Sequence, residues 1–352
     1  MVPESRHPAP APTDLLPARG TWVEPLPHLG GPPGTRTAHL SDPNLLREDG
    51  VLIRSQDPHT ARRAEEILAT ADDLPDAPRA RVDLEAGAEE YSRSVTAAVD
   101  DIRAGRLQKA VLSRKVPVEE EIDFPATFVA GRRANTPARS FLLDMDGLKV
   151  VGFSPEIVVG VRAGGEVVSQ PLAGTRRLTG DPDTDRRLRE ELWSDPKELH
   201  EHAISVKVAV DELAGPCKPD TVVVRDYMVI KRRGSVQHLA SEVAGRLPEG
   251  GTAWDAFAAV FPAVTASGVP KYASYELIRR HEPPRGPYAG TVLVAGSDGS
   301  LDAALVLRSA YHANGRTWLR AGAGVVEHSR AERELEETRE KLGTIAAHLV
   351  RA

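Results

Sequence analysis

Long runs of alternating apolar and polar residues constrain this chain more than any other feature. "SFLLDMDG" (140–147), "KVVGFSPEIVVGVRA" (149–163), "EVVSQPLAG" (166–174), "TVVVRDYMVIKRRGSVQHLASEVAGRL" (221–247) and "YAGTVLVAGSDGSLDAALVLRSAYHANGRTWLRAGAGVV" (288–326) carry the two-residue period of strands. Several are broken only by short turns, such as Asp146-Gly147 and Asp298-Gly299, which suit antiparallel hairpins. Antiparallel runs with helices gathered around them indicate an α+β fold and exclude a repeated βαβ unit.

One further run raises a chemical question. "RAGRLQKAVLSRKV" (103–116), bounded by Gly105 and Pro117, reads as a strand whose one face is Leu107, Lys109, Val111, Ser113 and Lys115. Lys109 therefore shares a face with two residues that belong in a core. Ahead of it, "GAEEYSRSVTAAVDDIRAG" predicts an amphipathic helix with Tyr91, Val95, Val99 and Ile102 on its buried stripe and Gly105 as its stop.

Two long helices hold most of the acidic residues. "SDPKELHEHAISVKVAVDELAG" has Ser194 or Asp195 as cap, Pro196 in its first turn and Gly215-Pro216 as its stop. Its expected buried stripe is Leu199, Ala203, Val206, Val210 and Leu213, with Glu198 and Glu201 one turn apart. "SRAERELEETREKLGTIAAHLVRA" is expected to run helical to the end of the chain. Glu334, Glu337 and Lys341 share one side of it, beside Leu335, Leu342, Ile345 and Leu349. Such carboxylates are either solvated surface or, where two helices meet, ligands of a hard cation; spacing leaves both open.

Other polar residues stand in suggestive places. Gly174 and Thr175 lie in a turn where backbone amides could approach an anion. Gly322 and Gly324 interrupt a strand, as happens where a ligand or another backbone comes close. Arg308 has apolar neighbours, so it needs an anion, from a glutamate or from a ligand. Glu156 follows Pro155 and is either a strand-edge residue reaching water or a buried acid whose pKa is raised. His238, in a strand-like run, reads as a structural histidine.

Composition removes several classes of function. The net charge of −6 leaves no basic stripe for nucleic acid, and a single cysteine, Cys217, excludes an internal disulfide framework and suits the cytoplasm. No apolar run approaches the roughly 20 residues of a membrane span, and the N-terminus lacks a secretory core. Residues 1–40 are rich in proline and glycine; residues 41–352 read as one domain.

"LQKAVLSR", "GFSPEIV", "PLAGTRRL", "SDPKELHEHAISV", "RGSVQHL", "FPAVTASGVPK", "RGPYAG", "LRSAY", "WLRAGAGVVEHS" and "ERELEETREKL" occur in this order from about residue 88 to the C-terminus. Together they resemble the chorismate-utilising enzymes: anthranilate, aminodeoxychorismate, isochorismate and salicylate synthases. The likeness is strongest to the salicylate synthases of siderophore pathways. It implies one α+β domain of two large, mostly antiparallel sheets packed together with helices outside, acting as a monomer on chorismate.

It also implies roles. Glu201 and Glu337 would bind Mg²⁺ directly, with Glu198 and Glu334 assisting through water. Lys109 would be the base that activates water against C2 of the ring, its pKa lowered by a semi-apolar wall and neighbouring cations. Glu156 would be the acid that protonates the departing C4 hydroxyl. Tyr288, Arg308 and the Gly322 backbone would hold the enolpyruvyl carboxylate. Gly174, Thr175 and Lys341 would serve the ring-carboxylate end, with His238 and Thr265 nearby. The implied product is salicylate plus pyruvate through isochorismate. An isochorismate synthase is the alternative, and Lys109 in place of glutamine argues against the amide-forming members. Two departures stand out: fewer than ninety residues precede the matched region, and Gln170 occupies a position where relatives carry glutamate, with an expected effect on charge near the metal.

Overall fold

The computed structural model describes residues 51–55, 78–145 and 147–352, so the proline- and glycine-rich 1–40 segment lies outside the described residues. Strands β1 (Val51–Ser55), β2 (Lys109–Val118), β3 (Arg139–Met145), β4 (Leu148–Ser154), β10 (Gly268–Val269), β13 (Ser309–Ala313) and β14 (Arg316–Val325) form one sheet, in the order β1-β3-β4-β13-β14-β2-β10. The second sheet contains β5 (Ile157–Val161), β6 (Glu166–Ser169), β7 (Leu172–Arg177), β8 (Val223–Arg233), β9 (Val236–Arg246), β11 (Thr291–Ala295) and β12 (Leu301–Leu305). Its order is β11-β12-β5-β6-β9-β7, with β8 along the other edge of β9. Every described pairing is antiparallel except that of β1 with β3. β3 pairs β4 with Met145 opposite Leu148, the intervening Asp146 lying outside the described residues, and the Asp298-Gly299 turn lies between β11 and β12, with Ala295 opposite Leu301.

The run "KVVGFSPEIVVGVRA", one strand by its alternation, is two strands in different sheets. Pro155 has no N–H to give a ladder, and the chain crosses from β4 to β5 at residues 154–157. A second short crossing, 305–309, returns it from β12 to β13. The crossings are tied together: Leu305 N donates to Glu156 O (3.1 Å), and Phe153 N donates to Arg308 O (3.1 Å). Glu156 and Arg308 thus sit side by side where the sheets join.

Seven helices are described: α1 (Ala88–Arg103), α2 (Phe124–Ala134), α3 (Pro182–Ser194), α4 (Pro196–Ala214), α5 (Ala253–Val260), α6 (Lys271–His281) and α7 (Ala331–Ala346). The α1 stripe is buried as its period predicts. Asp195 caps α4, accepting from the Lys197 and Glu198 amides. α7 stops at Ala346, short of the expected chain end, because Val350 and Arg351 pair with Arg79 and Ile122. Val206 and Leu213 of α4 pack with Val243, Val260 and Leu305 under the second sheet, each burial contributing roughly 1.5–3 kcal/mol. Phe128, Phe153, Leu319, Leu342 and Ile345 fill the other core. Among the described residues no helix is long and apolar enough to cross a membrane.

Candidate active site

The first turns of α4 bury a face that the expected stripe does not include. Val206 and Leu213 are buried, but so are Lys197, Glu198, Glu201, His202 and Ser205. Charged side chains accept that only with partners, and α7 supplies them. Lys197 Nζ lies 2.9 Å from Glu201 Oε2, 3.1 Å from Glu334 Oε2, 3.6 Å from Glu198 Oε2 and 3.9 Å from Glu337 Oε2. The two helices do meet, and their four glutamates surround one ammonium. Lys109 Nζ bonds Glu201 Oε1 (3.1 Å) and Ser205 Oγ (2.8 Å), Lys341 Nζ bonds Glu337 Oε1 (2.6 Å), and Arg176 Nη1 bonds Glu198 Oε1 (3.1 Å). Burial alone would raise Glu201, yet Lys109 and Lys197 hold it well below the carboxylate range. Burial is likewise outweighed at Glu337 by Lys341 and Lys197, which bring it to about 2, whereas burial pushes Glu334 up to about 7.

Glycines make room for this packing. A Cβ on Gly324 would lie 1.9 Å from Glu201 Oε1, and one on Gly322 would lie 2.9 Å from the Tyr288 hydroxyl oxygen. Gly174, at φ +66°, lies against Glu198, where a Cβ would come within 2.8 Å of Oε2.

Beside the helices opens a cleft of about 580 Å³, lined by Glu156, Gly174, Thr175, Glu201, His238, Tyr288, Arg308, Gly322, Glu337 and Lys341 among others. Four expected site residues lie just behind its wall. Lys109 is covered by Glu201, Thr265 donates its hydroxyl to Glu156 Oε1, and Glu198 and Glu334 flank Lys197. Burial pushes the Glu156 carboxyl up to about 7, against the lowering effect of Thr265 and the Leu172 amide. Burial, with Arg308 beside it, takes His238 down to about 3. Its Nδ1 therefore keeps the proton and donates to Gly174 O (2.9 Å). The nearest charged partner of the fully buried Lys109 is an anion, the Glu201 carboxylate, whose other oxygen bonds a second ammonium, Lys197. Gln170 bonds Glu242 Oε2 (2.9 Å) and does not line the cleft, so it does not touch the glutamate cluster through that space.

Three cluster oxygens, Glu198 Oε2, Glu334 Oε1 and Glu337 Oε2, are buried with no hydrogen-bond partner. Among the described residues no three acidic, histidine or cysteine groups form a preformed metal cage. Orphaned carboxylate oxygens without a full cage suit an oxygen-seeking ion that keeps several waters, which is the habit of Mg²⁺.

A family model for chorismate binding enzymes matches residues 47–347. The chain belongs to that family. It is 47% identical to a salicylate synthase of Mycolicibacterium paratuberculosis over 324 residues, 90% of this chain and 71% of that protein. An anthranilate synthase component 1 of Spirochaeta aurantia is 39% identical over 262 residues, 74% of this chain; the chain spans about half of that relative's length (54%). A 2,3-dihydroxybenzoate-specific isochorismate synthase, DhbC, from Bacillus anthracis has a TM-score of 0.69 at 30% identity, covering 78% of this chain and 76% of that one.

This chorismate-binding chain carries further site residues that the motifs did not single out. Lys197 is the first. Arg320 lines the cleft and is fixed by Glu282 Oε2 (2.9 Å) and Ser113 Oγ (2.9 Å). Arg285 bonds the same glutamate (2.7 Å), and the two guanidiniums stand 5.6 and 5.7 Å from the Tyr288 ring. The only sequence signal for this assembly is "HEPPRGPYAG", where Glu282 and Arg285 precede Tyr288 within one loop.

Proposed function

We propose that this chain is a Mg²⁺-dependent salicylate synthase, converting chorismate to isochorismate and then to salicylate and pyruvate. The supporting observation is one cleft whose wall offers both a carboxyl group poised near neutrality, Glu156, and the Glu201 carboxylate with Lys109 behind it. A proton donor with a pKa close to ambient pH is what expulsion of a hydroxyl requires. Glu156 gives its proton to the C4 oxygen as water adds at C2 and the double bond shifts. Lys109 takes the proton from that water. It bonds Glu201 and Ser205 behind the cleft wall.

Glu201 and Glu337 would hold Mg²⁺, with Glu198 and Glu334 assisting; bound there, the ion would neutralise the cluster and take the ring carboxylate. Tyr288 and Arg308 hold the enolpyruvyl carboxylate, with the Gly322 backbone beside them, and Lys341 adds positive charge at the ring end. Gly174 and Thr175 shape that end of the cleft, and the neutral His238 orients the Gly174 carbonyl. In the second step the hydrogen on C2 passes to the enolpyruvyl methylene as the C3–O bond breaks. Pyruvate leaves and the ring becomes aromatic. Restraint of the side chain serves this step more than an acid or base does.

Purified protein given chorismate and Mg²⁺ is expected to form salicylate and pyruvate in equal amounts, read by fluorescence and by a lactate dehydrogenase couple. The likeness to an isochorismate synthase structure favours a second reading, and accumulation of isochorismate without pyruvate would establish it. Anthranilate formed from ammonium would overturn both. The siderophore destination of the salicylate rests on the family resemblance.

A further inference from the structure

Tyr288 reaches the cleft from a loop, residues 282–290, that joins α6 to β11. The loop begins with an anion in an unfavourable place. Glu282 directly follows the last turn of α6, at the negative end of the helix dipole, and its side chain is only 2% exposed. A carboxylate persists there only with strong partners. Five hydrogen bonds converge on it, from Ser113 N (2.6 Å), Ser113 Oγ (2.6 Å), Arg285 Nε (2.8 Å), Arg285 Nη2 (2.7 Å) and Arg320 Nη2 (2.9 Å). Glu282 therefore ties the loop to β2 through Ser113 and to β14 through Arg320.

The two guanidiniums that Glu282 holds both lie against Tyr288, within cation–π range of its ring. Neither can shift freely: Arg285 also donates to Ala266 O (2.8 Å) and Val111 O (2.6 Å), and Arg320 to Pro284 O (3.2 Å). The Arg320 side chain is 1% exposed, so its influence on the cleft passes through the ring it holds. The far end of the loop is fixed as well. Ala289 N donates to Val306 O (3.0 Å) and Val306 N to Gly290 O (2.9 Å), which registers Tyr288 against the crossing that carries Arg308. Lys109 and Glu156, by contrast, make no bond to this assembly: their partners are Glu201 and Ser205, and Thr265 and the Leu172 amide.

We propose that Glu282 is a positioning residue: by clamping Arg285 and Arg320 against the Tyr288 ring it restrains the enolpyruvyl side chain, and so sets how much isochorismate is carried on to salicylate before it escapes. The proposal rests on the reading of the chain as a salicylate synthase. The two steps make different demands. Water addition depends on Glu156 and Lys109, which Glu282 does not touch, whereas loss of pyruvate depends on the conformation of the side chain. A loosened Tyr288 therefore slows the second step more than the first, and isochorismate gains time to dissociate.

The test is the ratio of isochorismate to salicylate released from chorismate, separated by chromatography, in the intact protein and in Glu282→Gln. The amide keeps the shape but turns an N–H₂ group towards donors, so it cannot hold both guanidiniums. The ratio is expected to rise about tenfold, a part of the roughly 10²-fold that a 1 Å misplacement can cost, while chorismate consumption changes much less. Destabilisation alone removes active enzyme and slows both steps in proportion, so it leaves the ratio unmoved. Arg320→Lys keeps the charge and loses the fork; it should shift the ratio in the same direction and serves if the glutamine variant does not fold. An unchanged ratio, or equal slowing of both steps, would overturn the role of Glu282. Should the intact protein release isochorismate alone, the salicylate reading fails, and the clamp is read instead from KM for chorismate. That KM should rise about tenfold in Glu282→Gln, as loss of a charge-assisted contact implies, and an unchanged KM would overturn the clamp.

Discussion

Gly324→Ala probes the electrostatic centre of the site without touching a charged residue. The added Cβ would lie 1.9 Å from Glu201 Oε1, 2.3 Å from Cδ and 2.8 Å from Oε2. Ordinary contact needs roughly 3.5 Å, so the carboxylate must withdraw by about 1.5 Å. Each of its oxygens is committed, Oε1 to Lys109 at 3.1 Å and Oε2 to Lys197 at 2.9 Å, and no withdrawal keeps both bonds. Disrupting a buried pair costs about 3–5 kcal/mol in stability as an upper value, and a displacement near 1 Å at reacting groups costs about 10²-fold in rate. The expected outcome is a folded protein with a lowered melting temperature, at least a hundredfold slower salicylate formation and a higher Mg²⁺ requirement. Gly343→Ala is the control: nothing lies within 4 Å of its added Cβ, and this half-buried helical site should tolerate alanine. A Gly324→Ala enzyme with normal rate and normal Mg²⁺ dependence would refute the placement of Glu201.

Glu156→Gln should lower kcat by roughly 10²–10⁴-fold and remove the alkaline limb of the pH–rate profile. In the intact enzyme the acid is protonated below about 7, so rate should fall as pH rises through that value. Lys197→Met leaves four buried glutamates without their shared ammonium; melting temperature should drop at neutral pH and recover with added Mg²⁺ more than in the intact protein, and an unchanged melting curve would contradict the cluster. Lys109→Gln should abolish water addition while circular dichroism stays native, and near-normal turnover would remove Lys109 as the base.

Alternation and turn chemistry revealed the hairpins, and the apolar period placed the buried stripe of α1. Where the reading failed, the reason lies in what periodicity can encode. It says which residues share a face, never which face is covered. On α4 the expected stripe holds at Val206, Val210 and Leu213 but also included Leu199 and Ala203, whereas the face pressed into the protein near the helix start is Lys197, Glu198, Glu201 and Ser205. That choice is made by α7, distant in sequence, through Glu334 and Glu337. Lys197 escaped notice for the same reason: beside Glu198 in a string of charged residues it looks like solvated surface. The break at Pro155 was visible as a proline inside a strand pattern, but nothing local says that the two halves belong to different sheets. The glycine signal at Gly322 and Gly324 was read as close approach, and the structure supplies the approaching groups, Tyr288 and Glu201.

Net charge misled least where it was set aside for local pairing. The buried cations near the cleft are mostly committed: Lys109 and Lys197 to Glu201, Lys341 to Glu337, Arg176 to Glu198, and Arg320 to Glu282. The lysines and Arg176 are offset by the four glutamates, whereas Arg320 and Arg285 share the single Glu282, so that group keeps a net positive charge beside the cleft. Arg308 differs. Burial lowers its pKa to about 10, still far above neutrality, so it enters the cleft charged and without a carboxylate partner among the described residues. An acidic protein can therefore recognise an acidic substrate: the glutamates offset most of the buried cations, and Arg308, at the junction of the two sheets, together with the surplus charge of the Arg320–Arg285 group, is left for the substrate's carboxylates. Arg308→Lys should then raise KM for chorismate far more than it alters folding, because the charge remains and the planar fork does not. An unchanged KM in that variant would mean that another group carries the recognition.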